Sequence, residues 1–443
     1  MRIVQICPSA GDSFYCENCL RDAALVKALR RLGHDVLMVP LYLPLAADVT
    51  EPPSQAPIFF GGINVYLQQK LALFRKTPRW IDRWFDARPL LEWAGRRAGM
   101  TSARALGETT ISMLQGENGR QVKELDRFVD WLRTEPEKPD IVCLANILLA
   151  GMARRIKDRL GVPVVCLLQD EDGFLDGLTA PYAGQAWEIV RERAGDIDAF
   201  LAVSQYFADA MSPRLGPHAA RMHVNHLGIE LDGYAREGPR PAVPTIGFLS
   251  RMCPDRGLEK LVDAFILLKR NEKLRSTRLR ICGGRLACDE SFLGRLHEKL
   301  MAAGLPADVD FLPDFDRASR VEFLRSVSVL SVPEERPVAY GLYVLEALAM
   351  GVPVVEPATG CFPETLALTG GGVLYEPNTA ERLAQALTPL LLDPQAAQRL
   401  GTEGRAGVAR SFEIGRTAAQ MIGIYEQVVQ RRYWGQGWSS LSM

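Results

Sequence analysis

Residues 329–364 read VLSVPEERPVAYGLYVLEALAMGVPVVEPATGCFPE. The stretch continues a β-branched apolar run, Val327 to Val332, which Pro333 ends, so it reads as a buried strand. A loop follows, and Gly341 opens the helical pattern LYVLEALAM. Val352 to Val355 is a second such run, and the loop TGCFPE, Thr359 to Glu364, comes after it. Strand, loop, helix and strand in that order is the unit of a parallel sheet covered by helices. Ligands of open α/β sheets bind beyond the carboxyl ends of the strands, so these loops are where binding residues are expected. Gly341 lets a ligand approach the backbone closely. Glu346, in the first turns of the helix, has a carboxylate suited to accept from the two adjacent hydroxyls of a ribose.

The same logic extends in both directions. Strand candidates in the second half are Thr245 to Leu249, Leu279 to Cys282, Val309 to Leu312 and Gly372 to Leu374, besides the two above. In the first half they are Ile3 to Cys7, Asp35 to Val39, Ile141 to Leu144, Val164 to Leu168 and Ala199 to Val203. Between the two series lies EGPRPAVP, residues 237 to 244, whose glycine and prolines disfavour helix and central strand alike, so it reads as a linker. The chain is therefore expected to be α/β, with two Rossmann-like domains facing each other across a cleft. The first domain spans 1–238, with a helical insertion at 64–134, and the second spans 239–412. Ala380 to Leu392 reads as a helix closing the second series, and 413–443 as a final helix from about Ile414 to Arg431 with its tail.

At 443 residues the chain is too long for one core and long enough for two. A net charge of −1 with 47% hydrophobic residues describes an ordinary globular protein and gives no reason to expect nucleic acid. The chain opens on a strand pattern, MRIVQIC, and carries no apolar run of transmembrane length, so a cytoplasmic protein is expected. Within the insertion, Trp80, Trp84, Phe85 and Trp93 recur at helical intervals among Arg75, Lys76, Arg79, Arg83, Arg88, Arg96 and Arg97. An ordinary packed helix pair is the plainer reading. Peripheral contact of 75–97 with the inner face of a membrane, or with an anionic acceptor, is the functional one.

Most of the nine cysteines sit in apolar runs, as Cys7, Cys143, Cys166 and Cys282 do, and read as small core hydrophobes. Cys16 and Cys19 have the spacing of a metal or redox pair, but no second ligand pair accompanies them, so structural thiols are expected and no metal. His34 reads as a helix-to-strand turn residue, and of the five histidines only His223 and His226 are placed to face a cleft.

After the first strand of the second half comes GFLSRMCPDRGL, which puts Arg251 and Arg256 ahead of a helix near Leu258. Two guanidiniums beside a helix N-terminus make a diphosphate clamp, because dipole, backbone N–H groups and forked cations favour the same anion. With these residues in view, the second half resembles the nucleotide-binding domain of GT-B retaining glycosyltransferases of the glycogen-synthase-like, group 1 type. SRMCPDRG resembles that family's Arg and Lys motif with Arg256 in the lysine's place. GLYVLEALAMGVPVV resembles the end of its Glu, seven residues, Glu motif, with Glu346 as the ribose-binding glutamate. More weakly, ICPSAG and LRRLGHDV resemble its first strand, turn and helix, AVSQYF and HLGIEL its interdomain region, and IYEQVV its closing helix, which crosses back to the first domain.

The resemblance implies retaining transfer from a nucleotide-diphosphate sugar, a UDP-sugar ahead of a GDP- or ADP-sugar, with no cofactor and no metal. Arg251, Arg256 and Glu346 would be the catalytic set, the arginines neutralising the leaving diphosphate. Phe311 and Leu312 would hold the base through backbone contacts. Gly11, Gly283, Tyr340, Gly341, Leu342 and Tyr343 would line the donor site, together with Cys361, Phe362 and Glu364. Domain closure about Gly238 would exclude water. The acceptor, a glycan, lipid-linked glycan, small molecule or protein, would meet Gln169, Asp170 and Asp172. The acidic run that continues through Glu171 resembles a metal triad only superficially.

Three departures accompany the match. The family's first motif glutamate falls on Val338, with Glu334 and Glu335 upstream able to substitute only if the loop is remodelled. A histidine common after a first-domain strand is Gln169 here, and a glycine pair is reduced to Gly11. Val338 motivates one alternative, a degenerate relative that binds a sugar nucleotide or a partner as a regulator. A sugar-nucleotide epimerase on the same fold is a third reading, but it needs acid and base groups for which no clear set is seen.

Overall fold

The computed structural model describes residues 1–8, 17–41, 103–235 and 241–437. Gly11, Cys16, Gly238 and the aromatic and basic segment 75–97 lie outside the described residues, as does the side chain of Cys19.

The β-branched runs pair as parallel strands. In the first half these are β1 (Arg2–Pro8), β2 (Asp35–Leu41), β3 (Ile141–Leu144), β4 (Val164–Leu168), β5 (Ala199–Ala202) and β6 (Met222–Val224), in the order β2-β1-β3-β4-β5-β6. In the second half they are β7 (Thr245–Leu249), β8 (Arg278–Cys282), β9 (Val309–Leu312), β10 (Val329–Leu330), β11 (Val354–Pro357) and β12 (Gly372–Tyr375), in the order β12-β11-β10-β7-β8-β9. The two-sheet α/β architecture expected from the sequence is thus present. Strands β3, β4, β5 and β7 are buried along their whole length, as helices on both faces of a parallel sheet require. Each Val, Ile or Leu so buried stabilises its unit by roughly 1.5–3 kcal/mol.

Contacts divide the chain into one unit of residues 1–11, 18–226 and 417–443 and another of 12–17 and 227–416. The division falls at Leu227, ahead of the proline-rich linker that marked it in the sequence. The reason lies in 229–235, which is tied to the second unit: Ile229 bridges to Glu413, and Arg317 bonds Glu230. His223 lies on β6, an edge strand too short to stand out in the sequence.

Helix ends follow their caps. Ser204 accepts from the Phe207 N–H to start the helix Gln205–Leu215. Asp393 accepts from two N–H groups, with Pro394 at the first position, to start Pro394–Ser411. Among the described residues no helix is long and apolar enough to cross a membrane.

In the first sheet the chain runs from β1 outward to β2 and then to β3 on the other side, so the switch point lies between β1 and β3. In the second it lies between β7 and β10, which pair at Leu330 and Gly247. Loops leaving these strands are therefore the ones an open sheet uses for ligands.

Candidate functional site

Both loops at the second unit's switch point carry charge. The loop after β7 continues the sheet ladder through the Ser250 N–H to the Cys282 carbonyl, 3.1 Å, and the Met252 N–H to the Gly284 carbonyl, 3.0 Å. A Cβ on Gly283 would fall 2.0 Å from the Ser250 oxygen, so only glycine permits this approach. The loop then turns at Gly257, φ +68°, where a Cβ would lie 1.9 Å from the Pro333 carbonyl oxygen. Glycine at 257 is what brings Arg256 against the loop that leaves β10.

The two arginines are held differently. Arg251 donates from Nε and Nη2 to the two oxygens of Asp289, 3.0 and 2.8 Å, a forked pair. Arg256 donates from Nη1 to Glu334 Oε1 at 2.6 Å, and the Tyr343 hydroxyl donates to the same oxygen at 2.9 Å. Burial opposes the charge of each arginine, but Asp289 and Glu334 more than offset it and raise both guanidiniums. Burial likewise pushes Glu334 up, with Arg256 holding it back. Glu334 is thus held by Arg256 and the Tyr343 hydroxyl. Glu335 is on the surface, paired with Lys260 at 3.0 Å.

Gly341 caps the helix Leu342–Ala349, its carbonyl accepting from Val344 at 3.1 Å. The Leu342 N–H at this helix start donates to the carboxylate of Glu17, 2.7 Å away, a residue that the contacts group with this unit. A carboxylate there marks a position that favours anions. Tyr340 and Tyr343 are buried. Val338, 3% exposed, accepts through its carbonyl from the Cys361 N–H at 3.0 Å, so the loops carrying Val338 and Phe362 touch. Phe362 is buried and Glu364 half-buried. Phe311 and Leu312 end β9, half-buried.

Glu346 is 2% exposed. Its Oε1 accepts from Arg320 Nε at 3.0 Å and from the buried Tyr234 hydroxyl. Asp289, Arg320, Tyr234 and the partnership of Arg256 with Glu334 were not foreseen from the sequence. They join residues 26 to 112 positions apart, and no local pattern marks such pairs.

In the first unit Gln169, at the end of β4, is buried and donates from Nε2 to the Ala145 carbonyl. Glu171, grouped with the acidic run, turns inward: its carboxylate accepts from the Ile147 and Gln169 N–H groups at 3.0 and 2.6 Å. Burial raises it to about 7. Asp170, at φ 74°, and Asp172 remain half-exposed. Among the described residues no group of three His, Cys, Asp or Glu is arranged to hold a metal.

Comparison with known proteins bears on both halves. Residues 235–407 match the family model of glycosyl transferases group 1, and 23–228 that of the glycosyl transferase 4-like domain. The chain is 27% identical over 220 residues to a D-inositol 3-phosphate glycosyltransferase of Jonesia denitrificans, covering 47% of this chain and 51% of the relative. The chain thus spans about half the length of that relative. It is 25% identical over 319 residues to a glycogen synthase of Mycobacterium tuberculosis, covering 69% of this chain and 72% of the relative. In fold it is similar to a sucrose-phosphate synthase from Thermosynechococcus elongatus, with TM-score 0.72 at 18% identity over 97% of this chain and 100% of that one. It is also similar to Anabaena HepE in complex with UDP, with TM-score 0.67 at 15% identity over 96% of this chain and 100% of that one.

Proposed function

The chain belongs to the group 1 glycosyl transferases of GT-B fold, and from that premise we propose that it moves a sugar from a nucleotide-diphosphate donor to a hydroxyl acceptor with retention of anomeric configuration. The observation that carries this reading is the placement of Arg251, Arg256 and Glu346 on the loops and helix beyond β7 and β10, the strands that flank the switch point.

In this mechanism the diphosphate leaves as the largest developing charge, and Arg251 and Arg256 neutralise it. They supply by guanidinium the positive charge that a metal would otherwise bring. Glu346 accepts from the ribose, and the ends of β9 hold the base. Leu342 offers its N–H to a phosphate oxygen once Glu17 yields it. The bond between the sugar and the diphosphate breaks as the acceptor oxygen bonds the same face of the sugar and its hydroxyl proton passes to the departing phosphate oxygen, so no protein nucleophile is needed. Asp170, just after β4, and Asp172, in the first turn of the helix Glu171–Asp176, are half-exposed carboxylates, and with Gln169 they form the proposed acceptor side. That HepE was solved with UDP supports a UDP-sugar as donor. We further propose a cytoplasmic location.

Calorimetry with UDP, GDP, ADP and their sugars tests the donor. One preferred nucleotide supports the reading, and no binding of any refutes it. The anomeric configuration of the product, read by NMR, tests retention. Names among the relatives are those of a transferase and synthases, which supports transfer over binding alone or epimerisation.

A further inference from the structure

Arg320 is the fourth residue of the helix Arg317–Arg325 and is 4% exposed. A buried guanidinium is costly unless its charge and its donors are met. Here they are met by two groups from different parts of the proposed nucleoside site. Nε donates to Glu346 Oε1 at 3.0 Å, and Nη1 donates to the Phe315 carbonyl at 2.8 Å. Phe315 lies in the loop that leaves β9, three residues after Leu312. On its other side Glu346 meets the Tyr234 hydroxyl, and Tyr234 is braced by Arg317, whose guanidinium stands 5.5 Å from its ring and which also bonds Glu230 and the Asp232 carbonyl.

We infer that Arg320 is a positioning residue for nucleoside recognition, tying the carboxylate that meets the ribose to the loop that meets the base, so that one guanidinium sets both. The inference rests on the donor reading above. A carboxylate offers about four acceptor directions, so Glu346 can keep the Arg320 bond and still accept from a ribose diol. The planar guanidinium holds its Nε and Nη1 donors in fixed directions, and so sets Glu346 and the Phe315 carbonyl relative to one another in a way that a flexible ammonium does not. The alternative, that Arg320 only fills the core, makes a different forecast.

Arg320→Met and the wild type are titrated calorimetrically with UDP and GDP, with their 2′,3′-dideoxy counterparts, and with inorganic diphosphate. The wild type is expected to prefer the ribonucleotide to its dideoxy form by about tenfold or more. In Arg320→Met that preference falls towards parity, while inorganic diphosphate, which reads Arg251 and Arg256, binds nearly as before. Should Arg320→Met not fold, Arg320→Lys, whose ammonium cannot span both partners as a fork, is measured in the same way, and its preference is also expected to fall. A folded variant that keeps the full ribose preference, or loses diphosphate and nucleotide binding in equal measure, overturns the inference and leaves the donor reading standing. A wild type that binds nucleotides without regard to the ribose hydroxyls overturns it too. A wild type that binds no nucleotide overturns the donor reading, and this inference with it.

Discussion

Glu171→Gln probes the brace beneath the proposed acceptor loop. The Glu171 carboxylate is 5% exposed, and its two oxygens accept from the Ile147 and Gln169 N–H groups. Burial raises it from the ordinary 4.5 to about 7, the two N–H bonds oppose the rise, and Asp170 adds to it. A folded value above the unfolded one means that the native state holds the proton more tightly. The resulting stability is fully present below about pH 4.5 and is lost as pH climbs through about 7. At about 1.4 kcal/mol per pH unit, the wild type forfeits roughly 3 kcal/mol over that window. Glutamine has the same shape but sets an amide NH2 against one of the two backbone donors, at a cost of about 1–3 kcal/mol that does not vary with pH. The variant is therefore expected to be the less stable protein in acid, with the gap closing towards pH 8. Denaturant midpoints for both proteins at fixed ionic strength, from about pH 5 to about pH 8, measure this difference. Parallel curves would show that Glu171 stays ionised when buried and would refute the reasoning.

Three further outcomes are expected. Arg251→Ala and Arg256→Ala each weaken binding of the preferred nucleoside diphosphate by roughly 10- to 150-fold in calorimetry, the worth of about 1.5–3 kcal/mol for a hydrogen bond to a charged group. The wild type transfers sugar at a measurable rate, and Val338→Glu, which buries a carboxylate, lowers thermal stability without raising turnover. Turnover that appears only in Val338→Glu would instead favour the degenerate reading. Gly360→Ala lowers the melting temperature by several degrees, because φ is +59° and a Cβ would sit 2.6 Å from the Val338 nitrogen.

The central strands were legible because a parallel strand covered on both faces must be apolar throughout. Ile141–Leu144, Val164–Leu168 and Thr245–Leu249 come out at the same bounds in sequence and structure. The strand foreseen over Val327 to Val332 shrinks to Val329–Leu330, since its last residues already turn into the loop that meets Arg256. The helix Pro394–Ser411 escaped notice because Gly401, Gly404 and Gly407 look like breakers. Gly404 and Gly407 are contact points instead: a Cβ on Gly404 would lie 2.8 Å from the Gly371 Cα, and one on Gly407 2.4 Å from the Thr369 Cα. At the candidate site the sequence singled out the arginines and Glu346 as candidates by type and spacing. It did not identify their counter-ions. Asp289 and Glu334 are acidic residues in polar stretches like many others, and only the fold puts them beside guanidiniums.

The return of residues 417–437 to the first unit has a bearing on synthesis. On the ribosome, the segment 227–416 emerges whole and is free to fold as soon as it clears the exit tunnel. The first sheet has all its strands far earlier, yet a face of that unit stays uncovered until the helix beginning at Ile414 is translated. The half made first is thus the half finished last, and while the second unit is being translated the first is the one exposed to chaperones and proteases.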